Sequence, residues 1–257
     1  MHTPFDLSGR GVVVTGGNGG IGLGMARALL ASGAGVAIWG SNAEKTERAR
    51  AQLAAGGDPA RVHAFVGDVA DEAQVETAFA ASVAALGRVD ACFANAGVSS
   101  RGTMLLDMTL AEFRRVQRIN VEGVFLTLRA AARHMVARGQ GGSLVVTSST
   151  AALEGAARNS HYGASKGAVS SFVRALAVEL ARHRIRVNAI VPGWIATDMT
   201  DDTVNDPKFV GAVLPRIPAR RWGTAEDFGG VAVYLASDAS SYTTGEQFVI
   251  DGGYTKF

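Results

Sequence analysis

Cysteine occurs once in the 257 residues, proline six times, and lysine only at Lys45, Lys166, Lys208 and Lys256. One cysteine cannot form an internal disulfide, so nothing points to an oxidising compartment. Cys92 lies in an apolar run and reads as buried filler, not as a nucleophile. An excess of charge is also missing. The 25 Lys and Arg against 23 Asp and Glu leave +2, which gives no strong drive toward nucleic acid or an anionic membrane. No stretch approaches the roughly 18 uninterrupted apolar residues of a membrane span. The start, Met1-His2-Thr3-Pro4-Phe5-Asp6, has neither the basic n-region nor the apolar h-region of a secretory signal. The expectation is a cytoplasmic chain with no nucleic-acid and no membrane partner. The five histidines are scattered without an i, i+4 pair, so no metal site is expected.

What is present is apolar and rich in glycine: 47% hydrophobic residues and 32 glycines. That composition builds a large core and excludes disorder as the main state. Short Val/Ile-rich runs alternate with longer Ala-rich stretches of helical period. The runs Gly11–Thr15, Gly35–Trp39, Val62–Val66, Val89–Ala94, Ser143–Thr147, Val187–Val191 and Phe248–Ile250 read as strands. The first is unbroken GVVVT, as a parallel strand buried on both faces should be. Ile21–Ala31, Ala43–Ala54, Glu72–Leu86, Leu110–Arg138 (long, with room for a bend), Tyr162–His183 and Ala225–Ala236 read as helices. Thr224 with Asp227 is a capping-box pattern. The alternation predicts an α/β fold with a doubly wound parallel sheet of about seven strands. No Pro/Ser-rich linker divides the chain, so residues 1–257 form one domain. The Trp194–Trp222 segment breaks the rhythm, holds Pro207, Pro215 and Pro218, and reads as a lid.

After the first strand comes Thr15-Gly16-Gly17-Asn18-Gly19-Gly20-Ile21-Gly22, and then a helix. This is the context of a phosphate-binding turn. Gly16 suits the tight turn, Gly20 lets a pyrophosphate approach the backbone, and Gly22 allows close helix–strand packing. The spacing is TGxxxGxG.

That spacing resembles the short-chain dehydrogenase/reductase family, in its branch of about 250 residues, which has a Rossmann-like domain. Further motifs follow in order over almost the whole chain. Asp68, followed by Val69, matches the adenine contact, and Asn95-Ala96-Gly97 matches the NAG motif. Ala94 stands where the family often has a first Asn. Asn120 matches the catalytic Asn, and Ser149 lies thirteen residues before Tyr162 in Tyr162-Gly163-Ala164-Ser165-Lys166, the YxxxK motif. Pro192-Gly193, with Ile195 and Thr197, matches the segment that holds the nicotinamide, and Asp251-Gly252-Gly253 the end of the last strand. The resemblance implies an NAD(P)-dependent oxidoreductase that transfers hydride reversibly between a secondary alcohol and a ketone. Asn120, Ser149, Tyr162 and Lys166 are its catalytic residues. The cofactor set is Gly16, Asn18, Gly20, Ile21, Gly22, Ser41, Asn42, Asp68, Val69, Asn95, Gly97, Tyr162, Lys166, Pro192, Gly193, Ile195 and Thr197.

The chemistry of these side chains agrees. Tyr162 and Lys166 are four apart on a helix and share a face. A phenol with a reference pKa of about 10 exchanges its proton poorly near neutrality. A nearby ammonium lowers that value, and an oxidised nicotinamide would add to it. The pair then donates a proton in carbonyl reduction and accepts one in alcohol oxidation. Ser149 can position the same oxygen. The family's Lys also holds the nicotinamide ribose, and its Asn anchors a water relay. A 3-oxoacyl-carrier-protein reductase is the alternative enzyme. A non-catalytic NAD(P) sensor is the alternative of another class, although such proteins commonly lose the Tyr or the Lys.

The second strand ends at Gly40, where an NAD-preferring protein has an acid for the ribose 2′-OH. Its absence favours NADP(H), with NAD(H) the alternative, and leaves a 2′-phosphate to Ser41, Asn42 and backbone. The expected substrate is a small carbonyl or alcohol in a mostly apolar pocket lined by Ser149, Leu153, His161, Tyr162, Trp194 and Met199, with Arg101 and Arg158 at the rim. Small residues on the long helix (Thr127, Ala130, Ala131, Ala132) and on the Tyr162 helix (Ala168, Ser170, Ser171, Ala175) suggest pairing between copies, as in the family, and a homotetramer.

Overall fold

In the computed structural model, which describes residues 3–100 and 102–256, seven strands form one parallel sheet in the order β3-β2-β1-β4-β5-β6-β7. They are β1 (Gly11–Thr15), β2 (Gly35–Gly40), β3 (Val62–Val66), β4 (Ala91–Ala94), β5 (Gly142–Thr147), β6 (Ile185–Pro192) and β7 (Gln247–Ile250). The N-terminal Met1 and His2, and Arg101, expected at the rim, lie outside the described residues.

Alternate side chains of each strand enter two separate cores. Val13, Ala37, Cys92 and Leu144 pack on one face; Val12, Val14, Ile38, Phe93 and Val145 pack on the other. Each Val, Leu, Ile or Phe among them contributes roughly 1.5–3 kcal/mol on burial. The helices cover these faces: α1 (Gly20–Ala31), α2 (Ala43–Ala55) and α3 (Glu72–Leu86), then α4 (Leu110–Gln117), α5 (Gly123–Arg138) and α6 (Ser160–Leu180). Asn42, Asp71 and Thr109 cap α2, α3 and α4 by accepting from the backbone N–H three residues on. Gly87 and Gly139 end α3 and α5 in the left-handed region.

The structure refines the expected elements at three places. The long helix is interrupted by a π-helical turn over Arg118–Glu122, with the Gly123 N–H donating to Arg118 O. Such a turn is often found at functional sites. The helix expected from Ala225 opens as a 3₁₀ turn, Ala225–Phe228, and continues as Gly229–Ala236, with the Thr224–Asp227 capping box in place. The Tyr162 helix starts earlier, at Ser160, and gives way at Leu180 to a single 3₁₀ turn.

Between β6 and that capping box, two short helices, α7 (Asp201–Val204) and α8 (Pro207–Val213), form a third apolar cluster. Trp194, Phe209 and Trp222 pack there beside Val213, Ile217 and Tyr254. The helix after Thr224, α9 (Gly229–Ala236), returns the chain to the sheet. Cys92 is fully buried, and burial pushes its thiol up to about 12, an inert filler. No described helix is long and apolar enough to cross a membrane, and no described cluster of His, Cys, Asp and Glu could hold a metal ion.

Candidate active site

The strand order reverses direction between β1 and β4, and the carboxyl ends of the strands open there into a crevice. One hydrogen-bond network ties its rim together. Thr15 Oγ1 accepts from the N–H of Asn95 and of Ala96, each at 3.0 Å. Asn95 Nδ2 donates to Thr15 O (3.1 Å), and Asn95 Oδ1 accepts from Thr147 Oγ1 (2.9 Å). The ends of β1, β4 and β5 are thereby fixed relative to each other.

The glycine turn leaves β1 at this rim. Gly16 has φ +64°, and a Cβ on it would lie 2.9 Å from Ala96 Cα. A Cβ on Gly22 would lie 2.3 Å from Gly16 O, so Gly22 is packed behind the turn. No side chain caps α1 at Gly19, and the first turn carries no acid. Its orphan N–H groups and positive dipole end are therefore available to an anion.

A cavity of about 270 Å³ runs from this turn across the strand ends. Of the residues singled out from sequence, Gly16, Asn18, Gly20, Ile21, Asn95, Gly97, Ser149, Tyr162, Lys166, Pro192, Gly193, Ile195, Thr197 and Met199 line it. The Ser149 hydroxyl stands close enough to the Tyr162 phenol to favour its charged form, and its Oγ accepts from Ala151 N (3.2 Å). Ser148, the neighbour that only spacing separated from Ser149, bonds Lys166 O (3.0 Å) and Ser170 Oγ (2.8 Å) instead. Lys166 Nζ donates to Thr147 O (2.8 Å) and lies 5.7 Å from the centre of the Tyr162 ring. That oxygen is its one described acceptor, and an ammonium carries three donors.

Burial raises the phenol above its ordinary value, and the neighbouring Ser149 hydroxyl offsets only part of that. The lowered phenol expected from sequence is thus not a property of these side chains by themselves. Burial also pushes the Lys166 ammonium down, to about 8, because the charged form loses hydration.

Asn120 sits in the π-helical turn, fully buried. Its Oδ1 accepts from Val98 N (2.8 Å), and its Nδ2 donates to Val98 O (2.9 Å) and Ser165 Oγ (3.0 Å). A Cβ on Gly97 would lie 3.2 Å from Asn120 Oδ1 and 3.3 Å from Lys166 Nζ, so the carboxamide and the ammonium flank Gly97.

The remaining residues lie outside the cavity. Ser41 is exposed, and Asn42 Oδ1 is engaged as the N-cap of α2. Asp68 Oδ1 accepts from Ala70 N and its Oδ2 faces Arg118 at 3.8 Å, while Val69 packs against Gly123. Trp194, Leu153 and His161, expected around Tyr162, do not line this cavity. Trp194 turns away to Phe209 (ring centres 4.8 Å apart), Leu153 is half exposed, and the His161 ring is buried 3.7 Å from Glu112 Oε1. Trp194 and Leu153 find apolar or solvent surroundings elsewhere, and of the expected substrate lining Ser149, Tyr162 and Met199 remain in the cavity wall. Arg158, expected at the rim, does not line it either. Sequence reasoning missed Lys45 and Asp198, which line the cavity at the glycine turn. Lys45 opens α2, and helical side chains lean toward the helix N-terminus, a signal that points it back at the turn.

The family model described as enoyl-(acyl carrier protein) reductase matches residues 16–255. This chain belongs to the short-chain dehydrogenase/reductase family. It is an oxidoreductase of the dehydrogenase type that acts on CH–OH groups. It is 37% identical over 253 residues to gluconate 5-dehydrogenase of Gluconobacter oxydans, covering 98% of this chain and 96% of that one. It is 39% identical over 255 residues to galactitol 2-dehydrogenase (L-tagatose-forming) of Cereibacter sphaeroides, covering 99% and 98%. Among solved structures, gluconate 5-dehydrogenase from Burkholderia cenocepacia, in complex with NADP and tartrate, superposes with a TM-score of 0.92 at 34% identity, covering 99% and 98% of the two chains.

Proposed function

We propose that this dehydrogenase interconverts a secondary alcohol and a ketone on a polyol or sugar acid, with NADP(H) as cofactor and Tyr162 as the proton-transfer group. The observation that carries the reading is that Ser149, Tyr162 and Lys166 share the wall of one cavity with the uncapped glycine turn. The residues present fit a dinucleotide: the α1 N-terminus suits a pyrophosphate, and Asn95, Pro192, Gly193 and Thr197 continue the wall toward Tyr162. When bound, the nicotinamide supplies or accepts the hydride. The protein does the rest. Ser149 orients the reacting oxygen, and the Tyr162 hydroxyl gives its proton to that oxygen in reduction and takes one in oxidation. The high phenol value keeps the donor form populated. The Lys166 ammonium, with N–H donors beyond the one on Thr147, stabilises the phenolate left behind. Asn120, whose carboxamide meets the same face of Gly97 as the Lys166 ammonium, positions the inner end of a proton path to that lysine.

Relatives named for gluconate and galactitol support a polyhydroxylated substrate. NADP is favoured because an acid has no room at the end of β2. A Cβ on Gly40 would lie 2.0 Å from Asn18 Nδ2 and 2.4 Å from Thr46 Oγ1. A relative solved with NADP supports the same choice. Residues 194–222 serve as the lid, hinged on the Trp194–Phe209–Trp222 cluster. The assembly is a homotetramer. Thr127, Ala130, Ala131 and Ser170 are buried in the chain's own core, but Ala168, Ser171 and Ala175 are exposed, as are Phe125 and Val136. Light scattering at micromolar protein checks the assembly, and a monomeric mass would overturn it.

The activity test is a panel of polyols, sugar acids and their keto forms, assayed with NADPH or NADP⁺ and with NADH or NAD⁺, against a Tyr162→Phe control. Turnover of at least one polyhydroxylated substrate by the wild type alone is expected. Cofactor binding without turnover by either protein would overturn the enzymatic reading.

A further inference from the structure

Among the described residues the cavity has two cations in its wall, Lys166 beneath Tyr162 and Lys45 at the opposite end, and one acid, Asp198. Lys45 belongs to α2, yet its ammonium is delivered to the glycine turn. A Cβ on Gly19 would lie 3.0 Å from Lys45 Nζ. Gly19 thus leaves the space that the lysine occupies, and an ammonium stands beside the turn although the turn contains no basic residue. Two neighbours define the place. Asn18 Nδ2 donates to Thr46 Oγ1 (3.0 Å) above Gly40, and Gly40 ends the strand where the adenosine ribose of a dinucleotide lies. Asn42 and Ser41, the polar groups nearest in sequence, are an N-cap and an exposed side chain.

The lysine is not idle. Its Nζ donates to Asp198 Oδ2 at 2.6 Å, and the Asp198 carboxyl is held below the ordinary value by that hydrogen bond. Asp198 follows Thr197, whose methyl approaches the Gly20 Cβ position to 3.2 Å. The ion pair therefore crosses from α2 to the segment after β6 over the mouth of the cavity. The side chains are 38% and 82% exposed, so water screens the pair and a competitor can displace it.

We propose that Lys45 is the residue that reads the 2′-phosphate of NADP(H), and that Asp198 competes with the phosphate for it. The proposal rests on the NAD(P)-dependent reading above. A phosphomonoester carries about −1.5 to −2 charge at pH 7 and three strong acceptor oxygens, against one charge on Asp198. The phosphate takes the ammonium, and Asp198 is released to solvent together with the segment that bears it. NADH has no group to make this exchange.

Dissociation constants from NAD(P)H fluorescence titration test it, with Lys45→Ala and Asp198→Asn compared with wild type at two salt concentrations. Both side chains are exposed enough for the variants to fold, and circular dichroism confirms that. Lys45→Ala is expected to weaken NADPH about 10- to 100-fold, the range of a charge-assisted hydrogen bond. NADH should change by less than about threefold. Asp198→Asn should tighten NADPH a few fold and leave NADH as it was, and salt should weaken NADPH more than NADH. Equal losses for both cofactors in Lys45→Ala would place the lysine on the pyrophosphate and overturn the proposal, as would no change for either. A selective loss of NADPH in a wild type that prefers NADH would overturn the cofactor preference but uphold Lys45. If Asp198→Asn weakens NADPH, the competition is overturned.

Discussion

The two ends of the sheet handle buried charge in opposite ways. At the amino ends of the strands, Asp90 is 4% exposed and fully answered. It accepts from Arg88 (Nη2 at 2.5 Å), from Arg138 (2.6 Å) and from the Gly11 N–H (3.0 Å). Burial alone would raise its carboxyl, but the hydrogen bonds from Arg88, Gly11 and Arg138 outweigh burial and hold it below the ordinary value. The group is locked in one charge state and joins β1, the approach to β4 and the end of α5. At the carboxyl ends, Lys166 is just as buried but has a single backbone acceptor and no carboxylate among its described partners. Its ammonium is pushed down to about 8, and the neighbouring phenol is pushed up. A buried ion with a complete set of partners holds a fold together. One left incomplete titrates near neutral pH and can do chemistry.

Four results would sharpen or break this contrast. The largest is the effect of Tyr162→Phe on kcat, a fall of about 10³-fold or more, near 4 kcal/mol of barrier, with the melting temperature unchanged. Loss of thermal stability in proportion would mean that the phenol is structural. Next is Asp90→Ala, which leaves Arg138 buried without its carboxylate. The unfolding free energy should fall by about 3 kcal/mol in urea titrations, while kcat/KM per folded enzyme stays within about twofold. A catalytic defect of the same size would erase the distinction between the two ends.

The third is smaller and appears only with pH. The folded value of Lys166, about 8, is below the ordinary value of 10.5, so the unfolded chain binds more protons between them. Stability from this group therefore rises with pH from 8 toward 10.5, up to the point where the raised phenol begins to oppose it. Lys166→Met should lack that rise, and its stability relative to wild type should be highest near pH 7 and shrink by pH 9.5. Parallel curves for the two proteins would sink the idea. The fourth has the opposite sign. Because the Asp90 carboxyl is depressed, its contribution is complete above about pH 4 and disappears as pH falls through the folded value. The stability gap between wild type and Asp90→Asn should close below that pH, as read by acid-dependent denaturant midpoints.

The amino-acid order by itself determined the α/β alternation, because unbroken apolar runs such as Val12–Val14 and the helical period between them are local properties of the chain. It also determined the glycine turn and the Tyr162–Lys166 pair, since one strand–turn–helix unit and one helical turn are short enough to read directly, whereas Ser149 was legible only through the family resemblance. Only the tertiary structure decided what depended on packing between distant segments. Long-range contact withdrew Trp194 into an aromatic cluster with Phe209 and Trp222. It bulged the long helix at Asn120, where the carboxamide clamps Val98. It also brought Lys45 across to Gly19 and against Asp198, 153 positions away, supplying the cation that the turn itself lacks. The direction of the Tyr162 and Lys166 shifts belongs to the same class. A sequence names the neighbours of a titrating group along the chain, but the loss of its water is set by everything that folds around it.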